Sequence, residues 1–134
     1  ELAIKISNEK KYKNISLSKP ILLLSGGETT VKVIGNGRGG RNTELMLSMA
    51  INLNKARNIS ALAVDTDGID GIEDNAGAYI SHETLNKAVF KKVNPQTYLD
   101  NNDSYSFFKK INDLIFTSPT LTNVNDFRAV LINP

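Results

Sequence analysis

The chain has 134 residues and a formal net charge of +2, with 40% hydrophobic and 22% charged residues, the make-up of one globular domain around a single core. It has no cysteine and one histidine, His82, which excludes disulfides, thiolate catalysis and Cys- or His-rich metal sites and is compatible with a reducing cytoplasm. No apolar run is long enough to cross a bilayer, and a charge this close to zero gives no footprint for nucleic acid despite the early lysines Lys5, Lys10, Lys11, Lys13 and Lys19.

Leu2, Ala3, Ile6 and Tyr12 recur at roughly helical spacing and predict a short amphipathic helix, followed by a linker from Asn14 to Lys19. Ile21 to Leu24 reads as a buried strand that Gly26 and Gly27 break. The β-branched run Thr29 to Ile34 predicts a second strand, antiparallel to the first, and Gly35 to Gly40 a long flexible turn. Asn42 to Arg57 is the clearest helix, with Leu45, Met46, Met49, Ala50 and Leu53 on one face, Asn42 as its cap and Glu44 in its first turn. Ser60 to Val64 is another buried strand. Strand, turn, helix and strand make a βαβ pattern, so the expected fold is α/β: a mixed, partly parallel sheet flanked by helices in three layers. Farther on, Ser81 caps a helix running to about Lys92. Pro95 opens a short helix, Asp103 to Ile111 is helical, and Leu114 to Phe116 and Phe127 to Ile132 are strands on either side of a polar loop.

Three stretches carry chemistry. Six of the nine glycines lie between Gly26 and Gly40, with Glu28 and Arg38 among them and Arg41 directly after the last. Gly35, Gly37 and Gly40 meet the Gly-x-Gly-x-x-Gly spacing, a weak signal alone, and the Gly-Lys-Ser/Thr ending of a phosphate loop is absent. Arginines beside a glycine turn that opens a helix suit phosphate or carboxylate oxygens. The alternative is a structural loop whose arginines pair with Asp or Glu. The second stretch, Asp65-Thr66-Asp67-Gly68-Ile69-Asp70-Gly71, crowds three carboxylates just beyond a strand, where sites form in open α/β sheets. Such crowding calls for Mg²⁺, an arginine, or both. The alternative is an Asp-Gly turn with solvated acids, and an EF-hand fails because its fifth position is Ile69. The third, Thr120 to Arg128, holds Asn123, Asn125, Asp126 and Arg128; its asparagine side chains suit hydroxyl or amide recognition and equally the bracing of their own loop. Glu28 suits a cation or an arginine, and His82, at a helix start, reads as a neutral surface residue.

Taken in order, Leu24-Ser25-Gly26-Gly27-Glu28-Thr29-Thr30, Gly37-Arg38-Gly39-Gly40-Arg41-Asn42, Asp65 to Gly71, Asn102-Asp103-Ser104-Tyr105 and Thr122-Asn123-Val124-Asn125-Asp126 resemble the MOFRL domain, the carboxyl-terminal half of the class II glycerate 2-kinases, whose homologues are often labelled hydroxypyruvate reductases. The resemblance runs from about Pro20 to the end, with residues 1–19 as helix and linker at the boundary and 20–134 as the domain. The chain opens on Glu1 rather than Met, and the expectation is a piece of a two-domain enzyme. The resemblance implies a cytoplasmic enzyme that transfers the ATP γ-phosphoryl to the 2-hydroxyl of D-glycerate with Mg²⁺, in a cleft shared with an amino-terminal Rossmann-like domain absent from this chain. It implies that Arg41 and Asp67 are catalytic. Glu28, Gly37, Arg38, Gly39, Gly40, Asn123 and Asn125 would line the substrate or phosphate site, and Asp65 and Asp67 would meet Mg²⁺. A homodimer stays open. The rival readings are an NAD(P)H-dependent hydroxypyruvate reductase and a free-standing ligand-binding domain without catalysis. All depend on Arg41 and Asp67 meeting at one pocket.

Overall fold

A computed structural model describes residues 2–8, 11–12, 15–16, 18–54 and 56–134. Glu1, Lys10, Lys13 and Asn14, which figured in the reading of the first segment, lie outside them. In chain order the elements are α1 (Leu2–Asn8), β1 (Lys11–Tyr12), β2 (Ile15–Ser16), β3 (Ile21–Gly27), α2 (Arg41–Leu53), β4 (Ile59–Asp65), β5 (Gly77–Ile80), α3 (Thr84–Phe90), α4 (Pro95–Asp100), α5 (Ser104–Ile111), β6 (Leu114–Ile115) and β7 (Asp126–Ile132). Tyr12 thus belongs to a small two-stranded ribbon, β1 with β2, and not to the first helix.

The main sheet has five strands in the order β3-β7-β4-β5-β6, and each neighbouring pair is antiparallel. The expected α/β class holds, and the expected parallel pairing does not. β3 and β4 run in the same direction, as the strand–helix–strand pattern requires, but β7 inserts between them and pairs both. Local pattern reports direction and says nothing of which distant strand fills the gap. Thr29 to Ile34 forms no strand. The amide of Thr29 donates to the Asp126 carboxylate, and that of Ile34 to the Asn102 side-chain carbonyl, so side chains take backbone groups that a ladder would have used.

One face of the sheet is buried. Ala61, Ala63, Ala78 and Ile80 alternate inward along β4 and β5 against Met46, Leu47 and Ala50 of α2 and Phe107, Phe108 and Ile111 of α5. Ala3 and Ile6 of α1 pack on the same face against Ile59 and Ile132. The other face (Leu22, Leu24, Leu62, Val64, Tyr79, Phe127, Leu131) is left partly or largely exposed. Among the described residues the helices therefore make two layers with the sheet, not three. None of the described helices is long and apolar enough to cross a membrane.

The first turn of α2 is unusual, because Asn42, Thr43 and Glu44 are all buried. The helix starts one residue before the expected cap, and its N-cap, Gly40, has no side chain to close it. Asp70 supplies the missing acceptor from a distant loop: its carboxylate receives the amides of Asn42 (2.9 Å) and Thr43 (2.8 Å) and the Thr43 hydroxyl (2.9 Å). A Cβ at Gly40 would lie 2.3 Å from the Asp70 carboxyl carbon, so glycine is what lets the carboxylate in. At the other end Asn54 adopts a left-handed conformation (φ 45°) and returns its amide to Ala50 and Ile51, which stops the helix before Arg57. Asp70 is fully buried. Asp70→Ala is expected to cost about 2–4 kcal/mol, read as a lower urea midpoint at unchanged slope, with Asp70→Asn costing less because one acceptor oxygen remains.

Candidate functional site

The inward face of the sheet turns from apolar to charged at one end. Asp65 closes β4, Asp126 opens β7, and the two are directly opposed across the ladder, with Gly27 on the far side of Asp126. Both aspartates are buried. Two carboxylates side by side at low solvent access repel, and Arg41, the first residue of α2, lies between them. Its Nε donates to Asp126 Oδ1 (2.8 Å) and its Nη2 to Asp65 Oδ2 (2.5 Å). The same pair offsets the unfavourable placement of a cation at a helix amino end.

Asp126 gathers more than Arg41. Its Oδ1 also accepts from Asn42 Nδ2 (2.9 Å), and its Oδ2 accepts from Arg128 Nη2 (3.0 Å) and the Thr29 amide (3.2 Å). Burial alone would raise its pKa, but these donors overcome that and hold it below the ordinary aspartate value. For Asp65 burial wins: the Asp67 amide and Arg41 offset it only in part, the neighbouring Asp67 carboxylate adds to it, and the pKa is raised. Burial also works against the Arg41 charge, but Asp126 and Asp65 more than compensate, so its pKa lies above the ordinary arginine value.

Arg41 and Asp67 are brought together through Asp65, whose Oδ2 takes Arg41 and whose Oδ1 accepts the Asp67 amide (3.2 Å). Asn123 joins them, donating Nδ2 to Asp67 Oδ2 (3.1 Å), and its own Oδ1 accepts the Asn125 amide (2.9 Å). The Asn125 carbonyl accepts the amide and hydroxyl of Thr66. The acidic loop and the asparagine loop are thus laced into one wall. Glu28 follows Gly27 at the end of β3 and, among the described residues, has no partner for its exposed carboxylate. Asp126 and Asp70 organise this region, whereas by sequence Asp70 counts only among crowded carboxylates and Asp126 only as a member of the asparagine loop. A signal for Asp126 was present: it shares the alternation of Arg128, Val130 and Ile132, which marks a polar residue on the buried face.

Arg38 stands apart. Its guanidinium is bound to Glu73 through Nε (3.0 Å) and Nη2, and lies 4.6 Å from the centre of the Tyr105 ring. The glycine loop is occupied by its own chain. Gly35 and Asn36 donate their amides to the side chains of Asn102 and Asn101, Gly37 to the Asn101 carbonyl, and Arg38 to Asp103. A Cβ at Gly39 would stand 2.3 Å from Ser104 Oγ. Here the structural alternative describes what the loop does: its glycines admit residues 101–105, and both arginines pair with acids. His82 is exposed beside Glu83.

Among the described residues the acidic loop does not form an all-protein cage for a magnesium ion. Among the described residues no group of three or more metal-ligating side chains is placed to hold one. Both oxygens of Asp65 already accept hydrogen bonds, and both oxygens of Asp67 do so from Ile69 and Asn123.

Comparison with known proteins meets this geometry. The MOFRL family model matches residues 21–126, a span that includes β3, the glycine loop, Arg41, the acidic loop and Asp126. The chain belongs to the MOFRL family. A D-glycerate 2-kinase of Thermotoga maritima is 46% identical over 127 residues, 95% of this chain and 30% of that protein. A protein of Agrobacterium vitis that bears a provisional hydroxypyruvate reductase name is 50% identical over 129 residues, again 95% of this chain and 30% of the relative. The crystal structure of a glycerate kinase from Thermotoga maritima superposes with a TM-score of 0.87 at 45% identity, covering 98% of this chain and 31% of that one. This MOFRL chain spans about a third of the length of the relatives it matches.

The Asp126 pKa shift fixes a pH dependence. A folded pKa below the unfolded value of about 3.9 gives stability that is present above that value and lost as pH falls through the folded pKa. Asp65 and Glu44, whose pKa values burial raises, act with the opposite sign, so the Asp126 contribution shows only by difference. Asp126→Asn is expected to be less stable than the wild type at pH 7, with the gap narrowing below about pH 4 in urea titrations. A gap that stays constant to pH 2 would rule out the shift.

Proposed function

We propose that this chain is the carboxyl-terminal, acceptor-binding domain of a glycerate 2-kinase. The observation that carries the proposal is the state of Arg41. Its Nε and Nη2 are anchored by two opposed aspartates, while among the described residues no acceptor faces Nη1. A guanidinium fixed on one edge and open on the other is preorganised for an oxyanion. Arg41 would take the glycerate carboxylate or the transferring phosphoryl. Asp67, steadied by Asn123, would accept a hydrogen bond from the 2-hydroxyl of D-glycerate. Glu28 and Asn125 would border the same site, and Gly37, Arg38, Gly39 and Gly40 would form its outer rim. In the reaction the bond from the ATP γ-phosphorus to the bridging β-phosphate oxygen breaks and leaves its electron pair on ADP, the bond from that phosphorus to the glycerate 2-oxygen forms, and the hydroxyl proton passes to Asp67 or to solvent. Positioning and charge neutralisation supply most of the rate in such transfers.

The length of the relatives supports a site completed by sequence outside this chain; with that part read as an amino-terminal Rossmann-like domain, this chain alone would bind and not turn over. The Agrobacterium vitis relative's name supports a second reading, reduction of hydroxypyruvate by a nicotinamide cofactor. The glycine loop argues against a dinucleotide turn here, because its amides are committed to residues 101–105.

Calorimetry of the chain with D-glycerate is expected to show binding, weakened at least about tenfold in Arg41→Ala by loss of a charge-assisted hydrogen-bond pair. No phosphoglycerate should form from ATP, Mg²⁺ and glycerate with this chain alone. Absence of glycerate binding in the wild type, or oxidation of NADH with hydroxypyruvate, would overturn the kinase reading.

A further inference from the structure

We propose that the bare outer face of the sheet is a self-association surface that a second copy of this chain covers. The face is built by alternation: while Leu23, Ala61, Ala63 and Val130 point into the core, Leu22, Leu24, Leu62, Phe127, Ala129 and Leu131 point away from it. Leu22 and Leu24 are 57% and 60% exposed, and Phe127 and Leu131 remain 40% and 36% exposed although they lie on the second strand of the sheet. A shallow hollow of about 470 Å³ lies over Ala129, between Leu22, Leu62 and Leu131. No described helix or loop covers it. A contiguous apolar patch of this kind marks a contact surface.

The choice of occupant follows from charge and size. No Asp, Glu, Lys or Arg lies on this face of β3, β7, β4 or β5. A two-fold interface brings each residue close to its own copy or its neighbours, where any charge would meet its like. A surface without charge pairs with itself at no electrostatic cost, and it offers a charged partner nothing to recognise. Three seven-residue strands and one of four residues have a footprint of roughly 400 Å² per copy at strand spacings of about 4.8 Å and rises of about 3.3 Å. With side chains standing above that plane, pairing removes roughly 1,000 Å² in total, the lower limit for a specific interface. The small Ala129 between larger neighbours gives the hollow into which a leucine of the facing sheet fits, as in aligned sheet packing. The dimer is accordingly weak, with a dissociation constant on the order of 10 μM.

Sedimentation velocity on this chain from about 1 to about 200 μM, a range that brackets that constant, reads the proposal directly. The wild type is expected to pass from monomer to dimer across the range. Leu24→Lys, an exposed position whose change leaves the core intact, should raise the dissociation constant at least about tenfold, by placing a charge at a desolvated contact. Leu121→Lys, 99% exposed on the loop before β7, should leave it unchanged, and circular dichroism should show all three proteins folded. A wild type that stays monomeric throughout, a Leu24→Lys variant that dimerises like the wild type, or equal weakening in Leu121→Lys would each overturn the proposal.

Discussion

The register of one strand pair sets the chemistry of this molecule. Pairing β4 with β7 places Asp65 directly against Asp126, and neither can escape into water. Two anions in that position demand a cation, and the amino end of α2 delivers Arg41 between them. The arrangement then determines the rest of the region. Asp126 takes Asn42, Thr29 and Arg128 with its remaining capacity. Asp70 closes the helix that carries Arg41, and Asp65 receives the backbone of Asp67. Repulsion between carboxylates, which the sequence displays as mere crowding, is resolved by a guanidinium supplied from inside the chain. A divalent ion is not needed to balance it.

That resolution explains why Arg41 and Arg38 have different prospects despite being three residues apart. Arg38 extends over Tyr105 to Glu73 and ties the glycine loop to the body of the domain. Arg41 is braced along one edge only. An arginine held this way loses little further side-chain entropy when it meets an anion, and the flanking acids keep its own charge secure. Stability and ligand readiness come from the same pair of contacts.

Much of this could be read from residue order. The periodicity of Met46, Ala50 and Leu53 announced α2, and the run Ser60 to Val64 announced β4, because each pattern is local and matches its period. Arg41, Asp65 and Asp67 were recognisable from charge crowded beside glycine and Asn123 only from the family resemblance, and the structure joins the four in one network. What stayed hidden was non-local. β5 (Gly77–Ile80) was not expected, since Gly77, Ala78, Tyr79 and Ile80 are too few to show alternation and acquire strand character from β4 and β6 on either side. Thr29 to Ile34 had strand propensity without a vacant partner. The sheet came out antiparallel because β7, remote in sequence, occupies the position between β3 and β4. The role of Asp70 as a cap could not be seen either: capping rules look within a few residues, and this cap arrives from 28 positions away.

The position of β7 also governs how the domain comes into being. The strand that joins β3 to the rest of the sheet is synthesised after every other strand of that sheet. Until it emerges, β3 and β4 have no common neighbour, Asp65 has no opposing carboxylate, and Arg41 has only half of its brace. On the ribosome the chain must therefore wait, with its apolar strands unpaired and open to chaperones or to one another, and then fold in a late step dominated by long-range contacts. Loss of even the last seven or eight residues would remove most of the strand that pairs both β3 and β4, not a dispensable tail.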